Sequence, residues 1–341
     1  MRIAAVIACL ALVACQRNQI HAVLPPDVRI DVFAQVNRAQ LDALFVIDNG
    51  PFMAVHQARV AGSFHRFLGY LQENQIDWHV GLAASDVSAH PGAYQGGGSK
   101  QYFDSTDSEA SIESAITALG MNGPAISAVL QQSDLALRAA PQGFLRAGAA
   151  LFIVVVTDDN DPWSPGEDLY YYRAFKQSKG PGNDGLVRLS ALAGPPPNGC
   201  TIPDPANPQN TFVAQAAPRL QALAQETGGE LQSLCDPQFD TVFDQLGATA
   251  AGLHRTFRLA KAPADPTALT VTVRAPCDAD RRALAFCGQL TDGCGDQPPA
   301  LLCTPTAASW TYDSTTLSIV FAPSALPPRG SLIEVQYKAA P

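Results

Sequence analysis

Two stretches, Ala43-Leu44-Phe45-Val46-Ile47-Asp48 and Leu151-Phe152-Ile153-Val154-Val155-Val156-Thr157-Asp158, are apolar runs that each end in aspartate. An uninterrupted apolar run of this length, rich in β-branched residues, is the mark of a strand buried on both faces. Between and after them lie helical stripes. Val60, Phe64, Phe67, Leu68 and Leu71 fall on one face, as do Ile126, Val129, Leu130 and Leu137 within 125–140. Further strands are expected at 78–84, 186–192 and 230–234, and further helices at 169–176, 217–226 and 239–253. Strands that alternate with helices predict an α/β fold with a doubly wound, mostly parallel sheet over 28–252. Ligands of such sheets bind at the carboxyl ends of the strands, where both aspartates stand.

The texture changes near residue 254. Short segments at 255–259, 269–274, 309–312, 317–321 and 332–337 have strand composition, and two of them alternate polar with apolar. They predict a small all-β domain over 254–341, with a disulfide-rich insertion at 276–304. The 341 residues are enough for two such cores, and 47% hydrophobic content excludes wholesale disorder. A net charge of −9 argues against nucleic-acid partners, which demand a basic face.

Localisation is read from the N-terminus. Met1-Arg2 precedes an apolar run, Ile3 to Ala14, that is too short to span a bilayer and has the pattern of a signal peptide. The run ends Leu12-Val13-Ala14-Cys15, which resembles the lipobox of bacterial lipoproteins. That resemblance implies a signal peptide over 1–15, a lipid anchor at Cys15, a tether over 16–27 and membrane attachment through the N-terminal lipid. Gln16, in place of an aspartate, points to the outer membrane. With Cys9 in the signal and Cys15 as anchor, six of the eight cysteines remain. In an exported chain an even remainder reads as disulfides. Cys200 is expected to pair with Cys235, while Cys277, Cys287, Cys294 and Cys303 allow three pairings. No pair is spaced as CxxC, which reads against a zinc site.

No enzyme motif is present. The Gly-x-Ser-x-Gly elbow, the phosphate loop ending in Gly-Lys-Ser/Thr and His-Glu-x-x-His are all missing. Gly96-Gly97-Gly98-Ser99-Lys100 lacks the phosphate-loop spacing and reads as a surface loop. None of the six histidines has a neighbouring Asp or Cys arrangement suited to general-base work. Asp48 with Asp158 as a hydrolytic carboxylate pair has no other support. The chain is expected not to be an enzyme.

Around its two aspartates the chain resembles the von Willebrand factor type A domain. More narrowly, it is similar to exported bacterial proteins that join such a domain to a C-terminal β segment. The residues concerned are Asp48-Asn49-Gly50-Pro51-Phe52-Met53 and Thr157-Asp158-Asp159-Asn160-Asp161-Pro162. The likeness extends through Gly252 to Leu259 and Trp310-Thr311-Tyr312-Asp313. The family's metal site, the MIDAS, takes an Asp-x-Ser-x-Ser turn, a threonine from a second loop and a later aspartate. Here Asp48 and Asp158 match the aspartates and are the candidate metal residues. Gly50 and Phe52 occupy the serine positions, and Gly120-Met121-Asn122-Gly123 has no threonine, although Asn122 carries an amide oxygen. Mg²⁺ prefers about six oxygens, so the resemblance implies a degenerate MIDAS without resident cofactor. Asp158, Asp159, Asp161, Glu167 and Asp168 also crowd one loop, a composition open to Ca²⁺.

The expectation is a lipid-anchored envelope protein whose strand-end loops recognise a protein or surface ligand. The candidate contact residues are Asp48, Asn49, Gly50, Phe52, Asn122, Asp158, Asp159, Asp161 and Trp163. Alternatives are a scaffold subunit of an envelope complex and a Mg- or Ca-dependent adhesin.

Overall fold

The computed structural model describes residues 28–35, 40–205, 207, 209–253, 255–322 and 325–340. The signal peptide, Cys15 and the tether lie outside them. Among the described residues no helix is long and apolar enough to cross a membrane.

The described residues open with β1 (Val28–Ala34), then enter an α/β layer. The strands of that layer are β2 (Gln40–Ile47), β3 (Asp77–Ala84), β4 (Phe103–Asp104), β5 (Ala150–Val156), β6 (Val187–Ala193) and β9 (Leu231–Ser233). They form a six-stranded sheet in the order β4-β3-β2-β5-β6-β9. All neighbours are parallel except β3 and β4. Every residue of β5 is buried, as its composition predicts. Helices α1 (Ala54–Glu73), α2 (Glu109–Ala118) and α6 (Phe239–Ala250) cover one face. Helices α3 (Val129–Arg138), α4 (Asp168–Gln177) and α5 (Pro218–Thr227) cover the other. The predicted stripe on α1 is the buried one: Phe64 and Phe67 pack against Phe45 of β2 at 4.9 and 5.2 Å between ring centroids. The helix expected over 125–140 is shorter, because Ser127 leaves the helical path to bind Asp159.

Chain order reverses between β2 and β5. From β2 the chain steps to β3 on one side, and from β5 to β6 and β9 on the other. At such a switch point the two flanking crossovers leave in opposite directions and open a crevice above the strand ends. Ile47 pairs with Val156 there, so Asp48 and Thr157 emerge side by side.

A hairpin, β7 (Cys200–Pro203) with β8 (Thr211–Ala214), follows β6 and is held to the end of the α/β layer by the Cys200–Cys235 disulfide. Beyond α6 come β10 (Thr256–Arg258), β11 (Thr270–Ala275), β12 (Cys287–Gly293), β13 (Ala300–Pro305), β14 (Trp310–Asp313), β15 (Ser318–Phe321) and β16 (Leu332–Lys338). They build a five-stranded antiparallel sheet, β1-β16-β11-β13-β12, and a three-stranded one, β10-β15-β14. The two enclose a separate core that includes Phe257, Val271, Val273, Phe321, Ile333 and Val335.

Two expectations change here. Val28–Ala34, read as the start of the α/β part, instead pairs along its whole length with β16, and Phe33 stacks on Phe257. Segment 276–304 is more than an insertion, since it contributes β12 and β13 to the sheet. The disulfides are Cys277–Cys294 and Cys287–Cys303, one of the three open pairings, together with the expected Cys200–Cys235.

Candidate functional site

The crevice at the switch point is floored by polar groups that satisfy one another. Asp48 is 2% exposed. Its Oδ1 accepts from the Gly50 amide at 2.8 Å and the Ser85 hydroxyl at 3.3 Å, and its Oδ2 accepts from the Thr157 hydroxyl at 2.8 Å. Asp159 is similarly engaged: Oδ1 accepts from Ser127 Oγ at 2.8 Å and the Asp161 amide at 2.7 Å, and Oδ2 accepts from the Ser127 amide at 3.0 Å. Asp161 accepts from Ser164 Oγ at 2.9 Å, and its carbonyl takes Arg219 Nη1 at 2.6 Å. Arg219, at the start of α5, also reaches the Asp168 carboxylate and the Gly166 carbonyl, so one guanidinium shapes the whole 161–168 loop.

Among the described residues, Asp48, Asp158 and Asp159 form the one group of three acidic, histidine or cysteine side chains whose ligand atoms lie within 4.8 Å of one another. Burial raises Asp48 to about 6, against the Gly50 and Thr157 hydrogen bonds. Burial, then the charges of Asp48 and Asp159, raise Asp158 to about 7. Burial also lifts Asp161 to about 7, despite Ser164 and Arg219. Buried like charges in contact are costly, and a shared proton relieves them.

A divalent cation is the other relief, and the residues do not fit it. Gly50, Phe52 and the 120–123 loop offer no side-chain oxygen at the positions a MIDAS uses, apart from Asn122, which is exposed. The oxygens of Asp48 and Asp159 already accept from protein donors. Backbone fills the place where the first serine would reach: a Cβ on Gly50 would lie 2.7 Å from the Pro124 carbonyl oxygen. On the facing side, a Cβ on Gly123 would lie 2.3 Å from Asn49 Oδ1, while the Gly123 amide donates to the Asn49 carbonyl at 2.9 Å. The two glycines let the loops close on each other and seal the Asp48 carboxylate underneath. The acidic 158–168 loop does not converge as a Ca²⁺ cage either: Asp161 and Asp168 pair with Arg219 instead.

Of the candidate contact residues, Asp48, Asn49, Gly50, Asp159 and Asp161 are buried and serve this internal network. Asp158 is half-buried. Phe52 and Trp163 reach solvent, at 59% and 60% exposure, joined by Leu169 and Tyr170 of α4. The partners of the network, Ser85, Ser127, Thr157 and Arg219, do not stand out in the sequence. Only Thr157, between the end of β5 and Asp158, carries a local signal. Nor does the sequence announce the β7–β8 hairpin, which with Phe52 bounds a groove of about 670 Å³ lined by Asp158, Asp204, Phe212, Val213 and Gln215. His56, at the start of α1, is fully buried, and burial followed by the Arg59 charge lowers it to about 4. It is a neutral packing imidazole beside Phe212.

No family model matches the chain, and no curated protein matches it. Solved structures similar to it include an aerotolerance-related membrane protein from Bacteroides fragilis with multiple mutations to serines. The identity is 14% and the TM-score 0.37, over 60% of this chain and 96% of that one. The pilus adhesin SpaC from Lactobacillus rhamnosus GG, in its open conformation, gives 11% identity and TM-score 0.38 over 92% of this chain. The match spans 41% of the adhesin's length. Proximal thread matrix protein 1 of the mussel byssus gives 9% identity and TM-score 0.36, over 65% of this chain and 48% of that one. At such scores the likenesses carry no weight for what this chain binds.

Proposed function

We propose that the chain is a non-catalytic recognition protein of the bacterial cell envelope, exported and lipid-anchored at Cys15 in the outer membrane. In this reading a von Willebrand A-like domain with a degenerate MIDAS contacts a protein or surface ligand, and a second, all-β domain stands beside it. The observation that carries the reading is the construction of the switch-point crevice. Its acidic floor is closed by internal hydrogen bonds, while Phe52 and Trp163 stand exposed on the segments that follow β2 and β5. Large exposed aromatics at a strand-end rim suit recognition, because they bury much area on contact at little entropic cost. Three disulfides support an oxidising compartment. Binding is metal-independent in this account, since the family's neutral oxygen ligands are missing.

A photoreactive residue placed at position 52 or 163 of the full chain in intact envelopes tests the assignment. Exposed Glu226, near the far end of α5, provides the control position. One adduct of defined mass from both rim positions and none from 226 is expected. Equal adducts from all three positions, or none from the rim, would sink it.

A further inference from the structure

The three carboxylates of the switch-point cluster are provided for unequally. Those of Asp48 and Asp159 accept hydrogen bonds from Gly50, Ser85 and Thr157 and from Ser127 and Asp161. Among the described residues, no other residue donates to the Asp158 carboxylate, and the charges beside it are the like ones of Asp48 and Asp159. The cations of the flanking elements are engaged elsewhere. Arg219 pairs with Asp161 and Asp168, and Arg59 donates to the carbonyls of Leu234 and Asp236.

Asp158 also lines the groove between Phe52 and the β7–β8 hairpin. The described lining of that groove holds two carboxylates, Asp158 and Asp204, and no lysine or arginine. Its walls are apolar and open: Phe52 and Val213 are 59% and 53% exposed, and Phe212 is half-buried. Carboxylates beside aromatic and aliphatic walls match one kind of side chain, a long apolar stem that ends in a cation. Such a stem packs on apolar surface while its head seeks charge, and an aromatic face adds its own attraction for the head. An ammonium or guanidinium also asks less of the site than Mg²⁺ does. It needs no shell of about six oxygens, so the absent serine and threonine ligands are no obstacle to it. At about 670 Å³ the groove is larger than one side chain fills and leaves room for the main chain that carries it.

We propose that this groove receives a segment of the partner protein, and that Asp158 pairs with a lysine or arginine side chain on that segment. The proposal rests on the recognition reading above and gives the partner surface a sign: it is basic.

The probes are blocked, fluorescently labelled Gly/Ser peptides with a central Leu-X-Leu, in which X is Lys, Arg, Gln or Glu. Anisotropy is read as each is titrated with the full chain in EDTA. The Lys and Arg peptides are expected to bind at least tenfold tighter than the Gln peptide, and the Glu peptide is expected to bind weakest. Asp158→Asn is expected to erase that order without lowering the melting temperature, because no other residue donates to the carboxylate it replaces. Val213→Lys sets a cation of the chain itself on the exposed wall and is expected to weaken the Lys peptide by a similar factor. Equal binding of the Lys and Gln peptides, no binding by any of them, or a preference that survives Asp158→Asn would each overturn the proposal. So would binding that requires added Mg²⁺ or Ca²⁺. The photo-adducts at 52 and 163 judge the recognition reading separately. Rim adducts without a charge preference among the peptides refute the pairing at Asp158 and leave that reading standing. A charge preference lost in Asp158→Asn, without rim adducts, upholds the pairing and refutes the envelope partner.

Discussion

Replacing Asp48 with asparagine separates a proton-relieved carboxylate cluster from a cation site. The substituted amide keeps an oxygen for the Gly50 amide and Ser85, while its NH₂ donates to Thr157 Oγ1, so it imitates the neutral acid. Asp48 titrates near 6 in the folded chain, against an ordinary value of 3.8. The folded state therefore holds more protons than the unfolded one between about pH 4 and 6, and this contribution to stability is lost as pH rises through that window. At 1.36 kcal/mol per pH unit, the Asp48 carboxylate costs the fold up to about 3 kcal/mol at pH 8. For a chain of this size that corresponds to roughly 2–6 °C. Melts of the wild type and Asp48→Asn are expected to coincide near pH 4. At pH 8 the variant is expected to melt higher by that amount, with or without EDTA. A variant less stable than the wild type at pH 8 would refute the proton account. So would a wild-type gain of several degrees in millimolar Mg²⁺, Mn²⁺ or Ca²⁺ that disappears in the variant.

Gly50→Ser, which restores a MIDAS serine in sequence, drives a Cβ to 2.7 Å from the Pro124 carbonyl. It is expected to destabilise by about 1–3 kcal/mol without creating Mg²⁺ affinity, as calorimetric titration and melts would show. At the other end of the sheet, fully buried Asp42 accepts from the Arg146 amide and Nε and from Lys179 Nζ, whose side chain is 2% exposed. Asp42→Ala strands that ammonium and is expected to cost about 3–5 kcal/mol in urea unfolding. Removing the Cys200–Cys235 bridge, which closes a 35-residue separation, is expected to cost about 3–4 kcal/mol in a double-serine variant, read by the same unfolding assay. Phe52→Ala and Trp163→Ala, both at exposed positions, are expected to move the melt by less than about 0.5 kcal/mol equivalent.

What could be read from the residues follows a physical division. Buried parallel strands such as 43–47 and 151–156 announce themselves because no polar residue is tolerated on either face. The helices with a full apolar stripe, α1 and α6, are equally plain. Helix α2 buries only Ile112 and Ile116 of its ten residues, too little for a periodic signal. Strand β1 alternates weakly, and its partner lies some 300 residues further along the chain, where no local pattern points to it. The two aspartates were visible as strand ends. Their raised titration was not, because it depends on burial beneath loops that are distant in the chain and, for Asp158, on the charges of Asp48 and Asp159 beside it. The pairing of Cys277, Cys287, Cys294 and Cys303 awaited the β12–β13 register for the same reason.

The β1–β16 pairing has a consequence for how the molecule is made. Strand β16 lies between β1 and β11, so the first described strand finds its place only after the last has been synthesised. The α/β layer completes its sheet and both helical faces from residues 40–250 alone, and a chain emerging from its N-terminus can form that layer first. Until residue 338 is delivered, Ile30 and Val32 remain on a strand with no neighbour on either side. The five-stranded sheet is thus a clasp that only residues 332–338 can shut, and a chain halted before them keeps its α/β layer with an open, sticky strand at its base.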